Sequence, residues 1–213
     1  MRKVNRLIIF DLDGTLADAY PAIIASFNYT MRRMGYPLQE GQVIRRSVGW
    51  GDKNLLKPFV KRKDLSKALL LYRRHHRQAL LRKSRLYPSA ARLLAYLKAK
   101  GYTLAIASNR PGKFCRILIR HLGIAKYFDG VICGDAVARS KPHPQILNQI
   151  MRRFRFQPDE TVYIGDMVID IQAGRRAGVK TIAVTSGSCC REELKKQRPG
   201  RIVSEVAELF RIF

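Results

Sequence analysis

The sequence predicts an α/β protein: a Rossmann-like parallel sheet with helices on both faces, interrupted after its first strand by a helical insert. Three observations predict it. After Pro88, short apolar runs alternate with helical periodicity, the pattern of a parallel sheet covered on both faces. From about Asp18 to Arg85 the segments are helical, with no strand-like alternation. Apolar residues make up 46% of 213, enough for a packed core and too many for a disordered chain.

The elements follow in order. Leu7-Ile8-Ile9-Phe10 is a short apolar run that meets a tight turn at Asp11-Leu12-Asp13-Gly14-Thr15, so it reads as a buried strand. In the helical stretch, breaks fall at Pro37 and Gly41, then at Gly49 and Gly51. Residues 65–81 form a basic amphipathic helix, with Leu69, Tyr72, His76 and Leu80 on one face. Helices are then expected over 90–100, 111–122, 144–153 and 168–177. Strands are expected over 103–107, 130–133, 161–164 and 181–184, with a last short strand near Ile202 and a helix over 205–210. The domain expectation is a core of 1–17 and 87–213 with 18–86 inserted.

Charge and cysteines narrow the function classes. The net charge of +25 suits anionic substrates, acidic membranes or nucleic acid. It is densest between Thr30 and Leu86, where sixteen Lys or Arg face Glu40, Asp52 and Asp64. No nucleic-acid motif accompanies it, and few aromatics interleave with the basic residues, which disfavours a nucleic-acid-binding protein. No apolar run reaches the length of a membrane span. The basic start is followed by only four apolar residues before Asp11, too short for the core of a signal peptide, so a cytoplasmic protein is expected. Cys115, Cys133, Cys189 and Cys190 show no zinc spacing and read as reduced thiols.

In an open parallel sheet, ligands lie beyond the carboxyl ends of the strands. The polar residues there are Asp11 and Asp13, then Ser108 and Asn109, Gly134 and Asp135, and Gly165 and Asp166. A carboxylate such as Asp11 at a strand end can attack a phosphoryl group. A second one two residues on, Asp13, can serve as general acid and then base. Asp166 and Asp170 bring carboxylates from another strand to the same edge, which asks for a cation. An oxygen-only donor set favours magnesium. Ser108 ends a strand before a helix, where a hydroxyl and helix-start amides suit a phosphate oxygen. Lys141 stands before another helix, between fixed prolines. Each segment alone also has a plainer reading: an Asx turn at Asp11, helix caps at Ser108 and Asp166, a solvated charge at Lys141.

With these four segments in order, the chain resembles the haloacid dehalogenase superfamily over nearly its whole length. Asp11-x-Asp13-Gly14-Thr15 matches the first motif, Ser108 the second, Lys141 the third and Gly165-Asp166-x-x-x-Asp170 the fourth. The resemblance implies that Asp11 is the nucleophile and Asp13 the acid/base. It implies Mg2+ on the Asp11 carboxylate, the Asp13 backbone carbonyl and Asp166, supported by Asp170. It further implies that Ser108 and Lys141 hold the transferring phosphoryl group, and that the insert is a cap closing over the site. The segments Ala107-Ser108-Asn109-Arg110-Pro111 and Val48-Gly49-Trp50-Gly51 are similar to phosphoglycolate phosphatase-like proteins, except that Arg110 stands where that group commonly has lysine. The implied activity is hydrolysis of a small phosphorylated metabolite through an aspartyl phosphate, by a monomer or dimer. A phosphomutase resembling β-phosphoglucomutase, a sugar-phosphate phosphatase and a pyrophosphatase are the alternatives. Thr15 and Asn109 are expected beside the substrate. The basic loop around Gly49 is expected to supply Arg46 and Lys53 for a second anionic group, with Arg110 helping from the core side.

Overall fold

The computed structural model describes residues 7–213; the basic start, residues 1–6, lies outside them. Strand β1 (Leu7–Phe10) is wholly buried and splits its side chains by the two-residue period of a strand. Ile8 and Phe10 enter one apolar layer and Leu7 and Ile9 the other, so this central strand has no polar face. After the acidic turn come β2 (Ala17–Asp18) and four helices: α1 (Tyr20–Met34), α2 (Gly41–Ser47), α3 (Asp52–Leu56) and α4 (Leu65–Lys83). The chain returns through β3 (Arg85–Leu86). The core continues with α5 (Ala90–Ala99), β4 (Thr103–Ser108), α6 (Gly112–His121), β5 (Gly130–Cys133), α7 (Gln145–Phe154), β6 (Thr161–Gly165), α8 (Val168–Arg176), β7 (Lys180–Val184), α9 (Arg191–Lys196) and β8 (Arg201–Val203).

The six-stranded sheet has the order β5-β4-β1-β6-β7-β8, parallel throughout. The six strands expected from the sequence are the six strands of this sheet. Its chain order reverses at β1, and the pairs β1–β4 and β1–β6 put three carboxyl ends side by side. The four helices between β2 and β3 have an apolar core of their own, built on Tyr20, Phe27, Met31, Ile44, Leu56 and Tyr72. Helix α4 buries Tyr72, His76 and Leu80, and Leu69 is half-buried, so the expected face is the packed one.

Strands β2 and β3 and helix α9 were not expected. The antiparallel ladder β2–β3 pairs Ala17 with Leu86 and Asp18 with Arg85, where the chain enters and leaves the helices. Two residues are too few to show an alternation. Helix α9 is six residues long with one buried side chain, Leu194, so it carries no periodic signal. Its start is marked only by Glu193, which accepts from the Cys190 N–H at 2.8 Å. The helix expected over 205–210 is a 3-10 helix, Val206–Arg211. All four cysteines are free thiols. Among the described residues, no helix is long and apolar enough to cross a membrane.

Candidate active site

The ends of β1, β4 and β6 bring Asp11, Ser108 and Asp166 to one buried place, and Lys141 arrives from the loop before α7. The Lys141 ammonium is the hub. It lies 2.8 Å from Asp11 Oδ1, 2.7 Å from Asp170 Oδ1, 2.8 Å from the Tyr163 hydroxyl and 3.0 Å from the Ala107 carbonyl oxygen. Four oxygens around one buried ammonium explain why it stays charged. Burial works against the cation, and Asp11 and Asp170 outweigh it, so its pKa is raised. The solvated-charge reading of this lysine is thereby excluded.

Asn109 fixes Lys141 rather than offering a free amide. Its Oδ1 accepts from the Lys141 N–H at 2.9 Å, and its Nδ2 donates to the Lys141 carbonyl at 2.9 Å and to the Gly49 carbonyl at 2.8 Å. Gly49 has φ +108°, and a Cβ there would run into Met167, so the close approach of this loop depends on glycine. Thr15, expected beside the substrate, instead donates to Asp166 Oδ1 at 3.0 Å. Asp166 Oδ2 accepts from the Tyr20 hydroxyl and from the Ser188 N–H, both at 3.2 Å. A Cβ at Gly187 would collide with this carboxylate, so the backbone of the 185–188 turn can lie against it only as glycine.

The acidic group fits a hard cation. One oxygen from each of Asp11, Asp166 and Asp170 lies within 4.8 Å of the others, all three residues are buried, and the donors are oxygen only. Burial pushes the Asp11 carboxyl up to about 7, opposed by Lys141 and reinforced by Asp170. Burial likewise holds Asp166 well above the carboxylate range, with Asp170 and Asp11 adding to it. A bound cation would relieve both. Asp170 is the least free of the three, since Tyr163 and Lys141 donate to its Oδ1 and the Met167 N–H to its Oδ2.

Asp13 is held differently. Arg110 donates to both its oxygens, Nε to Oδ2 at 2.8 Å and Nη2 to Oδ1 at 2.7 Å. The third contact of Arg110 is Nη1 to His76 Nε2 at 2.7 Å. Guanidinium cannot accept, so His76 Nε2 does. Burial and the positive charge of Arg110 keep this histidine neutral, its pKa well below the ordinary value. Its Nδ1–H then faces Ser26 Oγ at 3.0 Å, and that hydroxyl donates to the Ala22 carbonyl.

These groups line a cavity of about 60 Å³ between the sheet edge and the helices, shared by Asp11, Asp13, Ser108, Arg110, Lys141 and His76 and walled by Val48, Leu55, Tyr72 and Met167. Two expected cap contacts lie elsewhere. Arg46 points outward and pairs with Glu193 at 2.7 Å. Lys53 is exposed and borders an outer groove. Neighbouring helical residues point about 100° apart, so a sequence position next to a glycine loop does not decide direction. Arg45, not Arg46, reaches the core: Nη2 donates to the Ser186 and Gly187 carbonyls at 3.0 and 2.8 Å, and its guanidinium lies over the Tyr20 ring. Asp135, at the end of β5, accepts from the Gly112 N–H and caps α6 instead of joining the site. Tyr20, Ser188, Tyr163 and His76 are the contributors that sequence reasoning missed. His76 was placed only on the one face it shares with Leu69, Tyr72 and Leu80.

A buried acidic pocket at the carboxyl edge of a parallel sheet, with a cation hub and a helical unit over it, is the layout of an α/β enzyme. Comparison with known proteins specifies which. The family model described as haloacid dehalogenase-like hydrolase matches residues 8–184. The phosphoglycolate phosphatase of Vibrio parahaemolyticus is 31% identical over 217 residues, covering 97% of this chain and 95% of that one. That of Nitrosococcus oceani is 30% identical, covering 98% and 96%. A crystal structure described as a predicted phosphoglycolate phosphatase from Haemophilus somnus superposes with a TM-score of 0.92 at 26% identity, covering 97% of each chain. The chain belongs to the haloacid dehalogenase-like hydrolases, in their phosphoglycolate phosphatase-like group, and is a phosphatase.

Proposed function

We propose that this phosphatase is magnesium-dependent, that it hydrolyses a small phosphorylated carboxylic acid of the phosphoglycolate kind, and that it works through an aspartyl phosphate at Asp11. The observation that carries the reading is the setting of Asp11. It is buried at the end of the central strand, with one oxygen tied to Lys141 at 2.8 Å, on the wall of the small cavity. Its other oxygen attacks phosphorus as the substrate's ester bond breaks. Asp13 gives a proton to the leaving oxygen and then takes one from the water that cleaves the acyl phosphate. Lys141 and Ser108 hold the phosphoryl oxygens through the transfer. Asp11, Asp166 and the Asp13 carbonyl would hold magnesium, with Asp170 in support, and the ion would supply neutralisation of the phosphoryl charge.

Two features favour a small, doubly anionic substrate. The cavity is small, about 60 Å³, which suits a compact leaving group. Arg110 and Lys141 are the cationic side chains on its wall. With Lys141 assigned to the phosphoryl group, Arg110 is the partner for a remote carboxylate. The names of the Vibrio and Nitrosococcus relatives point the same way. The unit 18–86 serves as the cap, and a cytoplasmic setting suits four unpaired thiols. The test is phosphate release from a panel of phosphorylated metabolites, with magnesium and with excess chelator. The highest kcat/KM is expected for a short phosphorylated acid, with no turnover in chelator. Full activity in chelator, or preference for sugar phosphates, contradicts the reading.

A further inference from the structure

We propose that Tyr20 and Arg45, both from the helical unit, are positioning residues for Asp166, so that magnesium affinity and the seating of that unit on the sheet depend on each other. The inference rests on the reading above, in which Asp166 is a ligand of the ion.

Three donors hold the Asp166 carboxylate. Its Oδ1 accepts from Thr15, in the turn after β1, and its Oδ2 from the Ser188 N–H and the Tyr20 hydroxyl, both at 3.2 Å. Thr15 and Ser188 stand in loops that follow strands of the sheet. Tyr20 does not. It is 1% exposed and belongs to the apolar core of the helical unit, with Phe27, Ile44 and Tyr72. A tyrosine has two side-chain torsions, so a packed ring leaves its hydroxyl little freedom. The helical unit therefore delivers a fixed donor to a carboxylate that the sheet supplies.

Arg45, on α2, makes the second route. Its guanidinium lies over the Tyr20 ring, 4.2 Å from the centroid, and its Nη2 donates to the Ser186 and Gly187 carbonyls at 3.0 and 2.8 Å. Those carbonyls belong to the turn whose next N–H, that of Ser188, reaches Asp166. From the core side, the Tyr87 hydroxyl donates to the Ser186 carbonyl at 2.9 Å, and Ser186 Oγ donates to the Gly14 carbonyl at 2.6 Å. One arginine of the helical unit thus braces both donors to Asp166 Oδ2. Its neighbour Arg46 offers a contrast. Arg46 crosses to the same part of the chain and pairs with Glu193 at 2.7 Å, but both side chains are exposed and the pair has no bond to Asp166 or to the 186–188 turn. Solvent screening leaves such a pair little weight.

A carboxylate that binds a metal depends on outer partners to fix its orientation, and losing one typically costs about 10- to 100-fold in metal affinity. Here one partner and the brace of another come from a different structural unit than the carboxylate. When the helical unit lifts from the sheet, Asp166 loses the Tyr20 hydroxyl and the 186–188 turn loses Arg45. By linkage, the factor by which the seated unit strengthens magnesium binding is the factor by which magnesium strengthens the seating.

The test follows magnesium binding to the full chain by calorimetry, and amide hydrogen exchange in α2 with and without the ion. In the unaltered chain magnesium should slow exchange in α2. Tyr20→Phe keeps the packed ring, and so the fold, and removes only the hydroxyl. It should weaken magnesium binding by about tenfold or more and reduce the slowing of exchange in α2. Arg45→Met should shift both readings in the same direction. Arg46→Ala, on the same helix, should leave the affinity within about twofold. Asp166→Asn should abolish the binding. If Tyr20→Phe and Arg45→Met both bind magnesium within about twofold of the unaltered chain, or if magnesium leaves exchange in α2 unchanged, the coupling is refuted and the metal reading stands. If the unaltered chain binds no magnesium, or Asp166→Asn binds it equally well, the metal reading fails and the coupling with it.

Discussion

Replacing Lys141 by methionine tests the electrostatic construction of the site. The change keeps an unbranched side chain and removes the ammonium that lies 2.8 Å from Asp11 and 2.7 Å from Asp170. What remains is three buried carboxylates, Asp11, Asp166 and Asp170, without their buried lysine. Breaking a buried pair by removing one partner costs about 3–5 kcal/mol. For a chain of this size each kcal/mol moves Tm by about 2–4 °C, so the metal-free variant should melt about 6–20 °C lower. The sign with pH follows from Asp11, whose pKa already stands at about 7 with Lys141 pulling it down. Without Lys141 it rises further. A carboxyl whose folded pKa is raised favours the folded state below the unfolded value, near 4, and that contribution is lost as pH rises through the folded one. The deficit should therefore be largest at pH 8 and shrink toward pH 5, where the carboxyls take up protons. Thermal unfolding followed by circular dichroism, in chelator at both pH values, gives the comparison. Equal melting at pH 8, or a larger deficit at pH 5, would refute the assignment of Lys141 as the charge that balances this cluster.

Other consequences are as direct. Asp13→Asn should slow alkyl phosphate hydrolysis by about a hundred- to ten-thousand-fold and nitrophenyl phosphate much less, because a good leaving group needs no proton; equal losses argue against an acid at this position. Magnesium must displace protons from Asp11 and Asp166, both raised by burial, so its affinity measured by calorimetry should weaken as pH falls below about 7 and its binding should release protons. A pH-independent affinity would place the ion elsewhere. Arg46→Ala and Lys53→Ala should leave kcat/KM for phosphoglycolate within about twofold, because one side chain pairs with Glu193 on the surface and the other borders the outer groove; a large loss would return them to the substrate site.

The sheet was legible because each strand is a run of apolar residues too short for a helix and closed by glycine or a polar residue. The gathering of the acidic edge was legible for a related reason. Asp11, Ser108 and Asp166 sit at strand ends, and a parallel sheet aligns such ends whatever the loops do. Three kinds of information were not in the sequence. Direction around a short helix separates Arg45, which crosses to the Ser186 and Gly187 carbonyls, from Arg46, which faces out. Partners distant along the chain decide roles: Thr15 and Tyr20 are spent on Asp166, and Asn109 on Lys141 and Gly49, by contacts no local pattern announces. Polar residues on apolar faces are ambiguous, since His76 fits the packed stripe of α4 and also supports Arg110.

The central claim is a covalent phosphoryl transfer to Asp11, and the stereochemical course at phosphorus tests it most directly. The substrate's phosphoryl group is replaced by a chiral thiophosphoryl group carrying sulfur and two oxygen isotopes, water supplies the third isotope, and the configuration of the product thiophosphate is read after turnover. Attack by Asp11 followed by attack of water is two inversions, so the account predicts net retention. Net inversion would show that water attacks the substrate directly, and would leave Asp11 without the role the account gives it.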